Sequence, residues 1–109
     1  MDIQQLTQAM HRFVAAKGWY EAGSLRSQTP RNIATSLVLE ASEVLEHFQW
    51  SEEPRSPEEL AGELADVTLY LLQLASVLDI DLEQAVIAKL EKNYGRTWDQ
   101  DIAEKGSGS

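Results

Sequence analysis

The sequence predicts an all-α fold, an antiparallel four-helix bundle assembled as a homo-oligomer. Three observations predict it. Apolar residues recur at helical spacing in four segments. Helix-capping residues bound those segments. The links between them are short and no alternating strand pattern appears, which favours antiparallel neighbours.

The first helix is expected from about Ile3 to Lys17. Ile3, Leu6, Met10, Phe13 and Val14 share one face, and Gly18 can take the left-handed position past its end. A loop, WYEAGSLRSQ, follows. Thr29 and Pro30 supply an N-cap and a first-turn proline for the second helix, which runs to about Phe48. Pro54 lies in the next link. Ser56-Pro57-Glu58-Glu59 reads as a capping box that opens a third helix, extending to about Leu78. Asp79-Ile80-Asp81 breaks the chain. Asp81 then caps a fourth helix that ends near Tyr94, with Gly95 beyond it.

The third helix is too apolar for one buried face. Leu60, Leu64, Val67, Leu71, Leu74 and Leu78 form one stripe, while Ala65, Leu69 and Leu72 lie on other sides. A helix that is apolar nearly all round is buried nearly all round, so a second subunit is expected to cover it, as a dimer or a tetramer.

The 109 residues suffice for one domain, read as residues 1–104, with 105–109 as a flexible tail. The absence of cysteine excludes disulfides and thiolate metal sites and fits a cytoplasmic setting. The start, MDIQQLTQ, lacks the basic and apolar runs of a signal peptide. The apolar run Leu64–Leu78 contains Asp66 and Gln73 and reads as too short and too polar to span a membrane. A net charge of −9 argues against nucleic acid as a partner, because counterion displacement needs a basic surface.

The stretch LVLEASEVLEHFQW places charge where a helix usually buries its core side. On the second helix Ile33, Leu37, Ala41, Val44, Leu45 and Phe48 span an apolar arc, and Glu40 and Glu43 sit at its edge beside His47. On the third, Glu63 and Asp66 border the apolar stripe in a row with Tyr70. Antiparallel packing would converge the four carboxylates. Such a cluster is costly without a cation, and an all-oxygen set suits Mg²⁺, with Mn²⁺ as a substitute. One histidine does not make a zinc site. On the fourth helix Lys89, Asn93 and Arg96 fall on one side. They read either as a solvated helix end or as phosphate contacts.

FVAAKGW, TPRNIATSLVLEASEVLEHFQW, ELADVTLYLLQLA and DLEQAVIAKLEKNYGRTW resemble the MazG-like all-α nucleoside triphosphate pyrophosphatase superfamily, nearest its small dCTP pyrophosphatase-like branch. The superfamily signature is E-E-x-x-E followed by E-x-x-D; Leu39 stands at its first glutamate, and Glu40, Glu43, Glu63 and Asp66 match the metal ligands. The resemblance implies Mg²⁺-dependent hydrolysis of a nucleoside triphosphate to monophosphate and pyrophosphate, a house-cleaning activity on nucleotide pools. It implies that Glu40 or Glu43 acts on the attacking water. Lys89, Asn93 and Arg96 then match phosphate-contacting positions. Trp19, Trp50 and Tyr70 match positions around the nucleoside, with Asn32 a further candidate contact. His47 is either a protonated group reaching the substrate or a packed histidine. Two other readings stand beside this one: a phosphoribosyl-ATP pyrophosphohydrolase-like enzyme, and a non-catalytic metal-binding or regulatory helical module.

Overall fold

The computed structural model describes residues 1–96 and holds α1 (Ile3–Ala16), α2 (Pro30–Glu46), α3 (Pro57–Val77) and α4 (Leu82–Tyr94), with no strand among those residues. The expected domain end at residue 104 and the expected tail lie outside the described residues.

Each helix begins on a side-chain cap. Thr29 Oγ1 accepts from the Asn32 amide and Asp81 from the Gln84 amide. Ser56 Oγ accepts from the Glu59 amide, which is half of the expected box. The complete capping box is at α1 instead, where Asp2 accepts from the Gln5 amide and the Gln5 side chain accepts from the Asp2 amide. Two helices end in the Schellman pattern. Gly18 takes φ +75° after α1, with Trp19 N–H donating to Val14 O and Gly18 N–H to Ala15 O. Asp79 does the same after α3 at φ +57°, with Ile80 N–H donating to Ala75 O and Asp79 N–H to Ser76 O. Asp is one of the few residues with a side chain that visits this region readily.

α2 and α3 form the main packed pair, and α1 lies against α3. His47, just past the end of α2, faces Glu63 near the start of α3. Asn32 and Ser36, near the start of α2, share a cavity wall with Leu69 and Gln73. The two helices are therefore antiparallel, as expected. The core is small: Met10 and Val14 from α1, Ile33 from α2, Leu72 and Ala75 from α3.

Two expectations need correction. The stripe of α3 chosen from spacing is not the buried one. Leu72 faces inward, whereas Leu64, Leu71 and Leu78 stay open. Spacing locates an apolar row but does not say which neighbour covers it when the whole helix is apolar. One chain also does not close a four-helix bundle. α4 touches α3 only slightly and has no buried residue, so the molecule extends to 53 × 36 × 29 Å. At 21 residues the whole of α3 is, by length and composition alone, long and apolar enough to cross a membrane, although the apolar run Leu64–Leu78 is shorter. Its Glu63 and Asp66 lie beside the acids of α2, and carboxylates are costly and rare inside a bilayer.

Candidate active site

The site has two joined parts, an acidic cluster between α2 and α3 and a cavity beside it. Glu40, Glu43, Glu63 and Asp66 come together as the i, i+3 spacing on antiparallel helices requires. Glu40 is the focus. Its carboxyl is held above the usual carboxylate range, first by burial, then by the charge of Glu43 and a hydrogen bond with it, then by the charges of Asp66 and Glu63.

His47 supports this cluster from below. Its ring is sealed from solvent, and Nε2 lies 2.5 Å from Glu63 Oε2. The Ser56 backbone N–H donates to Nδ1 at 3.4 Å. A backbone N–H only donates, so Nδ1 carries no proton and the ring's N–H is on Nε2, toward Glu63. Neither His47 Nε2 nor Glu63 Oε2 has another hydrogen-bond partner, so each faces the other alone. His47 thus has no surface to offer a nucleoside, and the structure makes it the packed histidine of the two readings. Its role is to position Glu63.

The donor set fits a hard divalent cation. Glu40 Oε2 is buried with no hydrogen-bond donor, and a buried carboxylate oxygen left so is what an oxygen-seeking ion satisfies. Among the described residues no three acidic or histidine side chains already have their ligating atoms gathered for a metal. Glu43, Glu63 and Asp66 are all within electrostatic reach of Glu40.

The adjoining cavity, about 370 Å³, is walled by α1, the loop after it, the first turns of α2 and the middle of α3. Asp66 belongs to both parts, and Trp19, Asn32 and Tyr70 line the same cavity. Trp19 is fixed on two sides. Its ring meets Phe13 edge-on at 5.7 Å between centroids, and the Arg26 guanidinium lies over it at 5.2 Å. Asn32 is anchored by donation from Nδ2 to Ser27 O.

Other predicted residues lie elsewhere. Trp50 is 89% exposed and does not line the cavity. It follows α2 by a few residues, where helical spacing no longer dictates direction. Lys89, Asn93 and Arg96 are also not among the lining residues, since α4 stands apart; Asn93 Oδ1 is buried there without a partner. Spacing did not reveal Arg26, Gln28 and Gln73. Gln73 registered only as a polar interruption of an apolar run, although that interruption was the available signal.

Mouse (Mus musculus) dCTP pyrophosphatase 1 is 32% identical over an alignment covering 86% of this chain and 58% of the relative. The cattle (Bos taurus) protein of the same name is 35% identical with the same coverage. The chain therefore spans less than two thirds of the length of the curated relatives it matches. A solved structure of a pyrophosphatase from Archaeoglobus fulgidus DSM 4304 superposes with a TM-score of 0.70 at 36% identity, covering 83% of this chain and 86% of that one. The MazG-like family model matches residues 35–107. Because that match takes in the carboxylate pairs of α2 and α3 and continues through α4, the chain belongs to the MazG-like family.

Proposed function

We propose that this chain hydrolyses nucleoside triphosphates, deoxynucleotides such as dCTP among them, to the monophosphate and pyrophosphate. The observation that carries the proposal is the continuity of the two parts of the site. Asp66 belongs to the acidic cluster and also to the wall of a cavity of nucleoside size that holds Trp19 and Tyr70. The relatives named dCTP pyrophosphatase 1 and the pyrophosphatase structure support the same reaction class.

Glu40, Glu43, Glu63 and Asp66 would hold Mg²⁺, or Mn²⁺ in its place. Bound there, the ion supplies neutralising charge for the triphosphate and polarises a water. The chain's own residues do the rest. Trp19 offers a ring face to a base, and Tyr70 borders both the base and the acids. Glu40 Oε2, without a donor and with a raised proton affinity, is the oxygen best prepared to accept a proton from the attacking water. His47 keeps Glu63 in place. Lys89, Asn93 and Arg96 are proposed phosphate contacts on the resemblance alone, since none reaches the cavity within one chain.

The test is incubation with Mg²⁺ and each common NTP and dNTP, with products resolved by anion exchange. Monophosphate and pyrophosphate are expected. Release of diphosphate and inorganic phosphate would overturn the assignment of the cleaved bond. Absence of turnover, with Mn²⁺ still bound, would favour a non-catalytic metal module.

A further inference from the structure

Gln73 is a polar side chain in the apolar middle of α3, 2% exposed, on the wall of the cavity. Its orientation is fixed by a chain of hydrogen bonds whose polarity can be worked out from one end. Gln28 Nε2 lies 2.6 Å from the Arg26 backbone carbonyl, which only accepts. Gln28 must therefore place its amide nitrogen there and turn its oxygen toward Gln73. That oxygen, 2.8 Å away, requires a donor, so Gln73 presents Nε2 to it. The same Nε2 donates to Tyr20 Oη at 3.2 Å.

The far side of the chain agrees. Tyr20 Oη lies 2.5 Å from His11 Nδ1, and His11 Nε2 lies 2.7 Å from Ser76 Oγ. Tyr20 Oη accepts from Gln73, its proton can go to His11 Nδ1 or to Met10 Sδ at 4.0 Å, and His11 links Tyr20 to Ser76 in either tautomer, so the ring holds the hydroxyl in place without altering the polarity at Gln73. Partial burial lowers the His11 pKa. Both amide hydrogens of Gln73 are thus engaged, and among the described residues no donor reaches its oxygen. A buried glutamine free to rotate could serve either a donor or an acceptor; this one is held as an acceptor.

We propose that the Gln73 amide oxygen, held by Gln28 and Tyr20, selects a nucleobase that carries an exocyclic amino group over one with a carbonyl at that position. This rests on the reading of the cavity as a nucleoside site. The 4-amino group of cytosine donates to the oxygen. The 4-carbonyl of uracil would set acceptor against acceptor and leave both unpaired, the kind of mismatch that polar sites reject strongly. The 6-amino group of adenine belongs to the same chemical class. Gln73 would contact the base directly; Gln28, Tyr20 and His11 are positioning residues.

Neutral nucleosides test this apart from metal, phosphate and turnover. Deoxycytidine and deoxyuridine are titrated separately while the Gln73 side-chain amide is followed by NMR. Deoxycytidine should bind at least about tenfold tighter, the scale of one unmatched buried hydrogen bond. Gln73→Leu should bring the ratio near one by weakening deoxycytidine. Gln28→Leu alters a loop residue rather than the core and frees Gln73 to turn, so it should narrow the ratio chiefly by strengthening deoxyuridine. The inference is overturned by equal affinities in the wild-type protein, by no binding of either nucleoside, or by a ratio unchanged in both variants. A preserved ratio with no hydrolysis of dCTP would sink the hydrolase reading and leave this one standing. Hydrolysis of dCTP and dUTP with equal nucleoside affinities would do the reverse.

Discussion

Glu40 concentrates the electrostatic problem of the site in one carboxyl. Its proton affinity is raised above the ordinary value of 4.5 by burial and by three neighbouring acids. An acid whose pKa is higher when folded binds its proton more tightly in the fold. The stabilisation this gives is complete below the unfolded pKa and is lost as pH rises through the folded one. Glu40→Gln should therefore match the metal-free wild type near pH 4.5 and melt increasingly above it as pH rises, until the gap levels off beyond the folded pKa. Differential scanning fluorimetry across pH reads this directly. The same variant should lose at least about a hundredfold in pyrophosphate release. A large drop in its metal-free stability would refute the view that these acids oppose folding until a cation arrives. His47→Ala should lower Mn²⁺ affinity by about 10- to 100-fold, as loss of a group that orients a metal ligand does. Titration monitored by electron paramagnetic resonance measures it. It should also lower stability, because the ring is buried.

At the scale of elements, stability lies in the ends as much as in the thin core. Thr29→Ala and Ser56→Ala each remove an acceptor for an otherwise unpaired helix amide and should cost about 1 kcal/mol. Gly18→Ala forces a side chain into φ +75° and should cost about the same, although nothing crowds closer than 3.8 Å to the added methyl. Urea midpoints of the three variants would check this. The caps of α2, α3 and α4 were legible in the sequence because a cap and its partner lie within three residues. The four acids were legible because i, i+3 spacing on two antiparallel helices leaves few places for them. The Gln73 network was not legible: it joins residues 45, 53 and 65 positions apart, and no local rule pairs those. The position of Trp50 was not legible for a different reason: it lies in a link where periodicity has ended.

The whole molecule leaves unusual apolar area open. Leu64 and Leu71 of α3, Leu78 at its C-cap, and Val86, Ile87 and Leu90 of α4 are half-exposed, and α4 has no buried residue of its own. Surface of this kind marks an association face. The chain should therefore sediment as a dimer or larger species. Leu90→Asp should shift it toward monomer with a lower melting temperature, as analytical ultracentrifugation and calorimetry would show. A wild-type monomer at micromolar concentration would refute the expectation. The all-round greasiness of α3 was legible in the sequence, but not how far α4 stands from the rest, since the spacing of a helix carries no information about its tilt.

The contrast between two indole rings has a practical use. Trp50 stands in water, whereas Trp19 is wedged between Phe13 and the Arg26 cation on the wall of the cavity. The chain has three tryptophans. With Trp50 and Trp98 replaced by Phe, emission would come from Trp19 alone. A base stacking on that ring would quench it, so the protein carries its own optical reporter. Ligand arrival could then be timed by stopped flow, without labels and before any bond is broken.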